Sequence, residues 1–161
     1  MEYGLVLLLM PKAACRPLVK SLRSLDINVL SVSDCQQARA LLRTRPAIEL
    51  IITQVTLADG NWCDLFKYLV DRSSHASVVV ASPQADERLW SEILWRGAYD
   101  LLVEPYKSDE VIRVVEGALR AVHASGQARA AGMQFGSRKA DNNRVEANSG
   151  SVPQRIGKQA E

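Results

Sequence analysis

Five short apolar runs, each followed by a stretch of helical spacing, constrain this chain more than any other feature. Leu5-Val6-Leu7-Leu8-Leu9 is continuous and apolar, as expected of a strand buried on both faces. Ile27-Asn28-Val29-Leu30-Ser31-Val32 alternates, which suits a strand near a sheet edge. Leu50-Ile51-Ile52 with Val55, Val78-Val79-Val80-Ala81 and Leu101-Leu102-Val103 complete the set. Turn chemistry closes the last three at Asp59-Gly60-Asn61, Ser82-Pro83 and Glu104-Pro105.

The intervening stretches read as helices. The first is predicted to start near Ala14, because Pro17 is best tolerated in a first turn; Leu18, Val19, Leu22 and Leu25 then share a face. Asp34 is a good N-cap for the second, which carries Ala38, Leu41 and Leu42. The third holds Leu65, Phe66, Leu69 and Val70, and the fourth runs from about Asp86 to Arg96. The fifth opens at Ser108, with Asp109 and Glu110 in the turn where the helix dipole favours anions. It carries Val111, Val114, Val115, Ala118, Leu119 and Val122.

Parallel strands need right-handed crossovers, which put helices on both faces of one sheet. The expected fold is therefore a flavodoxin-like, doubly wound (βα)5 α/β domain with a five-stranded parallel sheet in the order 2-1-3-4-5. Sites in such sheets lie beyond the carboxyl ends of the strands. Here those ends are Met10-Pro11, Gln54, Ser82 and Glu104.

The domain is expected to occupy residues 1–124. From Ser125 to Glu161 large apolar residues are sparse and follow no period. Such a segment buries too little surface to offset a backbone entropy of about 1–2 kcal/mol per residue, so it reads as a disordered tail. The overall charge of +2 is too near neutral for nucleic acid binding by bulk charge. No apolar stretch approaches the roughly 18 residues needed to cross a bilayer, and no signal peptide is visible. Cys15, Cys35 and Cys63 are widely spaced and lack CxxC, which reads as reduced thiols in a cytoplasmic protein and not as a zinc site.

Two segments carry a resemblance. Leu50 to Gly60 and Arg96 to Tyr106, with Gly97-Ala98 before the fifth strand and Pro105-Tyr106 after it, resemble the receiver domain of response regulators over roughly residues 4 to 122. The resemblance implies phosphorylation by a partner kinase on an Asp at the end of the third strand. It also implies an acidic pair for Mg²⁺ after the first strand, a hydroxyl after the fourth and a Lys after the fifth. Carried over by position, the acidic pair falls on Met10 and Pro11, the phosphoacceptor on Gln54, the hydroxyl on Ser82 and the Lys on Glu104. The aromatic switch position falls on Leu101.

All but Ser82 depart from the pattern. An amide is a poor nucleophile, so Gln54 cannot form an acyl phosphate. Mg²⁺ prefers hard oxygen ligands; Met10 offers a soft thioether and Pro11 no side-chain donor or acceptor. Glu104 places a carboxylate where an incoming dianion needs a cation, a like-charge penalty of roughly 4 kcal/mol at 4 Å and an effective dielectric of 20. No metal, no cofactor and no phosphoryl transfer are expected. Ser82 is either a phosphate contact or a local cap before Pro83, the local role taking precedence without a phosphate.

Other residues weigh less. Asp59 is a turn residue with Gly60. Leu89, Trp90, Ile93, Leu94 and Gly97 cluster on one face of the fourth helix, whereas Trp95 falls roughly 170° away and should be exposed. An exposed Trp is a common interface anchor, although lone surface aromatics also occur. The resemblance implies a partner or dimer face along the fourth helix, fifth strand and fifth helix, making Trp95 and Tyr106 candidate interface residues. Trp62 should shield the loop beside the site. His75 and His123 do not stand at metal-ligand spacing and read as satisfied or solvated histidines, and Cys35 and Cys63 should pack as small apolar residues.

The leading function is a degenerate receiver, not an enzyme, that binds a signalling protein or a second copy without aspartyl phosphorylation. The alternative is a single-domain response regulator switched by another trigger, such as a small ligand in the vacated pocket. A flavin carrier on this fold would want a Ser/Thr/Gly-rich phosphate loop, which Met10-Pro11-Lys12-Ala13-Ala14 lacks. No helix-turn-helix follows residue 124, so nucleic acid binding through an output domain has no support, and the tail reads first as a solubilising linker, with nucleic acid or partner docking as the lesser reading.

Overall fold

The computed structural model describes residues 4–130 other than Ala85, with side chains as far as Gly126. The strands are β1 (Leu5–Leu9), β2 (Asn28–Val32), β3 (Ile48–Gln54), β4 (Thr56–Leu57), β5 (Gly60–Asn61), β6 (Ser77–Ser82) and β7 (Asp100–Val103). The helices are α1 (Lys12–Leu22), α2 (Cys35–Thr44), α3 (Trp62–Asp71), α4 (Glu87–Arg96) and α5 (Ser108–Ala130). Five strands form one parallel sheet in the order β2-β1-β3-β6-β7, which is the expected 2-1-3-4-5 once the short β4–β5 ribbon is set aside. That ribbon is antiparallel and turns at Ala58-Asp59, where the sequence shows only a turn.

The continuous apolar runs are explained by the two faces of the sheet. Val6, Leu8, Leu50, Ile52, Val79, Ala81 and Leu102 point to one side. There they meet Leu18 and Leu22 of α1 and Val111, Val115 and Ala118 of α5. Leu7, Leu9, Ile51, Val78, Val80 and Leu101 point to the other, against Ala38 of α2, Leu65 and Leu69 of α3 and Ile93 of α4. Successive side chains alternate across a strand, so both parities must be apolar. Each fully buried Leu, Ile or Val contributes about 1.5–3 kcal/mol. β2 lies at the sheet edge and buries no residue fully, which matches its alternating sequence.

Local chemistry sets the helix ends. The Asp34 side chain accepts from Gln37 N at the start of α2. Asn61 and Asp64 form a reciprocal capping box on α3. Asp86 caps α4 through Arg88 N. Gly97 ends α4 with φ 114°, and the amides of Gly97 and Ala98 return to the carbonyls of Leu94 and Ile93, a Schellman arrangement.

One expected helix boundary is corrected. α1 starts at Lys12 and not near Ala14, so Pro17 sits inside the helix. Pro11 stands at the N-cap, where its fixed φ and missing N–H are harmless, and the helix then runs through Pro17 at the loss of one backbone bond. α5 is helical from Ser108 to Ala130, and the first compact unit of the chain ends at Ser125. The remainder of the expected tail lies outside the described residues.

Candidate functional site

The sheet order sets the tips of β1, β3, β6 and β7 side by side. Leu9 pairs with Thr53, Gln54 with Ala81, and Ser82 with Val103. The chain leaves each tip through a residue singled out in the sequence: Met10 and Pro11, Gln54, Ser82 and Glu104.

Met10 is buried, and its N–H donates to Val32 O at 3.0 Å. Its carbonyl accepts the Cys15 thiol at 3.8 Å. The thioether therefore belongs to the α1/α5 core. Pro11 is exposed at the head of α1. Gln54 is half-buried, and its backbone carbonyl accepts the Thr53 hydroxyl at 3.0 Å. The Ser82 hydroxyl donates to Gln84 O at 3.1 Å and accepts from Gln84 N at 3.2 Å, so both of its roles are filled by its own loop.

Glu104 is exposed, and its N–H donates to Ser82 O at 2.9 Å, which ties the ends of β6 and β7 together. Its carboxylate accepts the Tyr106 hydroxyl at 3.2 Å. The Glu104–Pro105 peptide is cis. Tyr106 is half-buried against the α1/α5 core; burial, then the adjacent Glu104 charge, pushes its phenol well above the usual range. Tyr106, a candidate interface residue, thus packs in part against the core. Leu101 is buried under α4, on the side opposite Tyr106.

The tips thus present an amide, a hydroxyl and one carboxylate. Among the described residues no three His, Cys, Asp or Glu gather as metal ligands. With one carboxylate and an occupied hydroxyl, the donor set fits Mg²⁺ poorly.

No known protein-family model matches the chain. Over 100 residues it is 27% identical to the response regulator protein PilR of Pseudomonas aeruginosa, a match covering 62% of this chain and 22% of that protein. The chain thus spans about a fifth of the length of the curated relative it matches. Among solved structures it superposes on a signal receiver domain from Vibrio parahaemolyticus with a TM-score of 0.72 and 19% identity, covering 79% of this chain and 97% of that one. The receiver domain of the Francisella response regulator 1452 superposes with a TM-score of 0.66 at 20% identity, covering 73% and 98%. The beryllofluoride-activated NtrC4 receiver domain dimer gives 0.66 at 14%, covering 73% and 97%.

The fold is that of a response-regulator receiver domain.

On this receiver fold the α4 region carries the exposed aromatics. Trp95 is 88% exposed, as its angle on the helix predicted. Trp90 is 48% exposed, although the sequence placed it on the inner face. Only Ile93 of α4 is fully buried, so the buried stripe is narrower than expected and leaves the large indole at its margin. Tyr99, just past α4, is also exposed, and its hydroxyl end rests where Gly117 of α5 has no Cβ.

The remaining candidates are structural. Trp62 is buried and meets Phe66 at a ring separation of 5.9 Å. Cys15 and Cys35 are buried and Cys63 partly so. His123 meets the Glu49 carboxylate at 2.9 Å. The sequence underread Asp59, whose carboxylate accepts the backbone N–H groups of Cys35 and Gln36 at the start of α2. No local pattern signals that contact, because it spans two loops.

Proposed function

We propose that this chain serves two-component signal transduction as a degenerate receiver, binding a protein partner without an aspartyl phosphate and without enzymatic turnover. The observation that carries this reading is the chemistry of the strand tips. The residue at the end of β3 is an amide, the residues leaving β1 are Met10 and Pro11, and the corner after β7 carries the Glu104 carboxylate. A phosphoryl group would find no nucleophilic carboxylate, few hard oxygen ligands for a divalent ion and a repelling charge.

The contact face assigned here is α4 with its C-terminal loop, centred on Trp95. A Trp side chain supplies some 150–250 Å² of contact area, and such rings dominate interface energetics. A second copy of the chain is one occupant, a reading supported by the dimeric NtrC4 receiver domain among the similar structures. Among the described residues no helix is long and apolar enough to cross a membrane, and the proposed site of action is the cytoplasm.

Incubation with acetyl phosphate and Mg²⁺, followed by intact-mass and peptide mass spectrometry, tests the chemistry. The expected result is no adduct on residues 50–58. A stoichiometric phosphoryl adduct there would overturn the reading.

A further inference from the structure

A second concavity lies away from the strand tips, between α2 and α3. It has a volume of about 180 Å³ and is lined by Cys35, Gln36, Arg39, Arg43, Asp59 and Tyr68. Drug-sized pockets run from about 300 to 1,000 Å³, so any occupant is small. From these groups the geometry points to a binding site for the phosphate of a small hydroxylated molecule, held by Arg39 and Arg43.

Three observations converge. Arg39 and Arg43 stand one helical turn apart on α2 and both reach the cavity, and among the described residues neither forms a salt bridge with a carboxylate. Like charges at this spacing repel, and a shared anion relieves the repulsion. Guanidinium groups match phosphate oxygens through paired N–H donors. Arg39 is also braced: its guanidinium lies 5.4 Å from the centroid of the Tyr68 ring, as does that of Arg72, so the cationic side of the cavity is built on an aromatic platform.

Second, the Tyr68 hydroxyl is buried and, among the described residues, has no hydrogen-bond partner. A buried hydroxyl left unpaired is costly, and because Tyr68 lines the cavity, a ligand oxygen that meets this hydroxyl would satisfy it. Third, Asp59 sets the polarity of the cavity beside the start of α2. Its oxygens accept Cys35 N at 2.8 Å and Gln36 N at 3.0 Å, so the N-terminus of α2 is already occupied and does not itself receive the anion. The remaining lone pairs of Asp59 would repel a second anionic group and accept a hydroxyl. The cavity therefore selects a molecule with phosphate at one end and O–H donors at the other.

Amide NMR on the full chain tests the site, with ribose 5-phosphate, inorganic phosphate, ribose and sodium chloride as titrants. Saturable shifts at Cys35, Gln36, Arg39, Arg43 and Tyr68 are expected with ribose 5-phosphate. Weaker binding of inorganic phosphate than of ribose 5-phosphate is expected, and equal binding would overturn the selection for a hydroxylated phosphate ester. The Arg43→Gln variant should weaken affinity roughly tenfold, the loss expected for one charge-assisted pair. Tyr68→Phe, which keeps the ring, should weaken it by a smaller factor. The absence of saturable shifts, shifts reproduced by ribose or chloride, or unchanged affinity in a folded Arg39→Gln/Arg43→Gln variant would each overturn the proposal.

Discussion

The Asp59 carboxylate accepts the backbone N–H of Cys35 at 2.8 Å, and through this bond the β4–β5 turn caps a helix distant in sequence. Hydrogen bonding to Cys35 is the largest influence; burial opposes it and the bond to Gln36 adds to it, so the Asp59 carboxyl is held below its ordinary value of 3.8. A lowered folded-state pKa contributes stability that is present above the unfolded value and is lost as pH falls through the folded one. Unfolding midpoints should therefore drop as pH falls from about 4 downward. Asp59→Asn should flatten that slope and lower Tm at neutral pH. Urea titrations across the acid range, comparing the two proteins, read both effects.

The same contact governs thiol chemistry. Burial, reinforced by the Asp59 charge, pushes the Cys35 thiol up to about 11 from its ordinary 9.0. A raised value favours the neutral thiol in the fold, so this stability is present below pH 9 and is lost as pH climbs toward 11. Against a thiol-reactive disulfide at pH 8, Cys63, which is partly accessible, should react first. Cys15 and Cys35 should react only on unfolding. Time-resolved labelling with peptide mapping checks the order.

Gly97→Ala should destabilise the domain. The position has φ 114°, which costs an L-residue roughly 1–2 kcal/mol, and the new Cβ would lie 2.8 Å from Phe66 Cζ. Trimming Phe66 to Leu in the same protein should recover the contact part of the loss but leave the backbone part. Equilibrium denaturation of the single and double variants separates the two.

Trp95→Ala should leave stability within about 0.5 kcal/mol, as for most surface substitutions, because the ring is exposed. Association with the partner, or with a second copy, should weaken. Sedimentation velocity over a concentration series measures self-association, and a pull-down with the variant as control measures partner binding. Unchanged behaviour in both would remove Trp95 from the interface.

Most of the architecture was legible because it rests on short-range patterns. Leu5 to Leu9 advertise a two-sided strand, and Asp34 and Gly97 mark helix ends through the chemistry of their own turns. Pro17 misled because the rule that confines proline to a first turn yields when α1 packs firmly through Leu18 and Leu22. Trp95 was readable from helical angle alone, whereas Trp90 was not, since its exposure depends on how much of α4 overlies the sheet. The strand tips were readable because topology fixes them. The α2/α3 cavity was not, because Asp59, Arg39 and Tyr68 meet only through tertiary packing.

The closed pair of bonds between Ser82 and Gln84 gives the loop after β6 a latch that is already fastened. Recruiting that hydroxyl toward the mouth of the sheet would break both of its bonds to Gln84 at once, so any rearrangement there begins by undoing the loop.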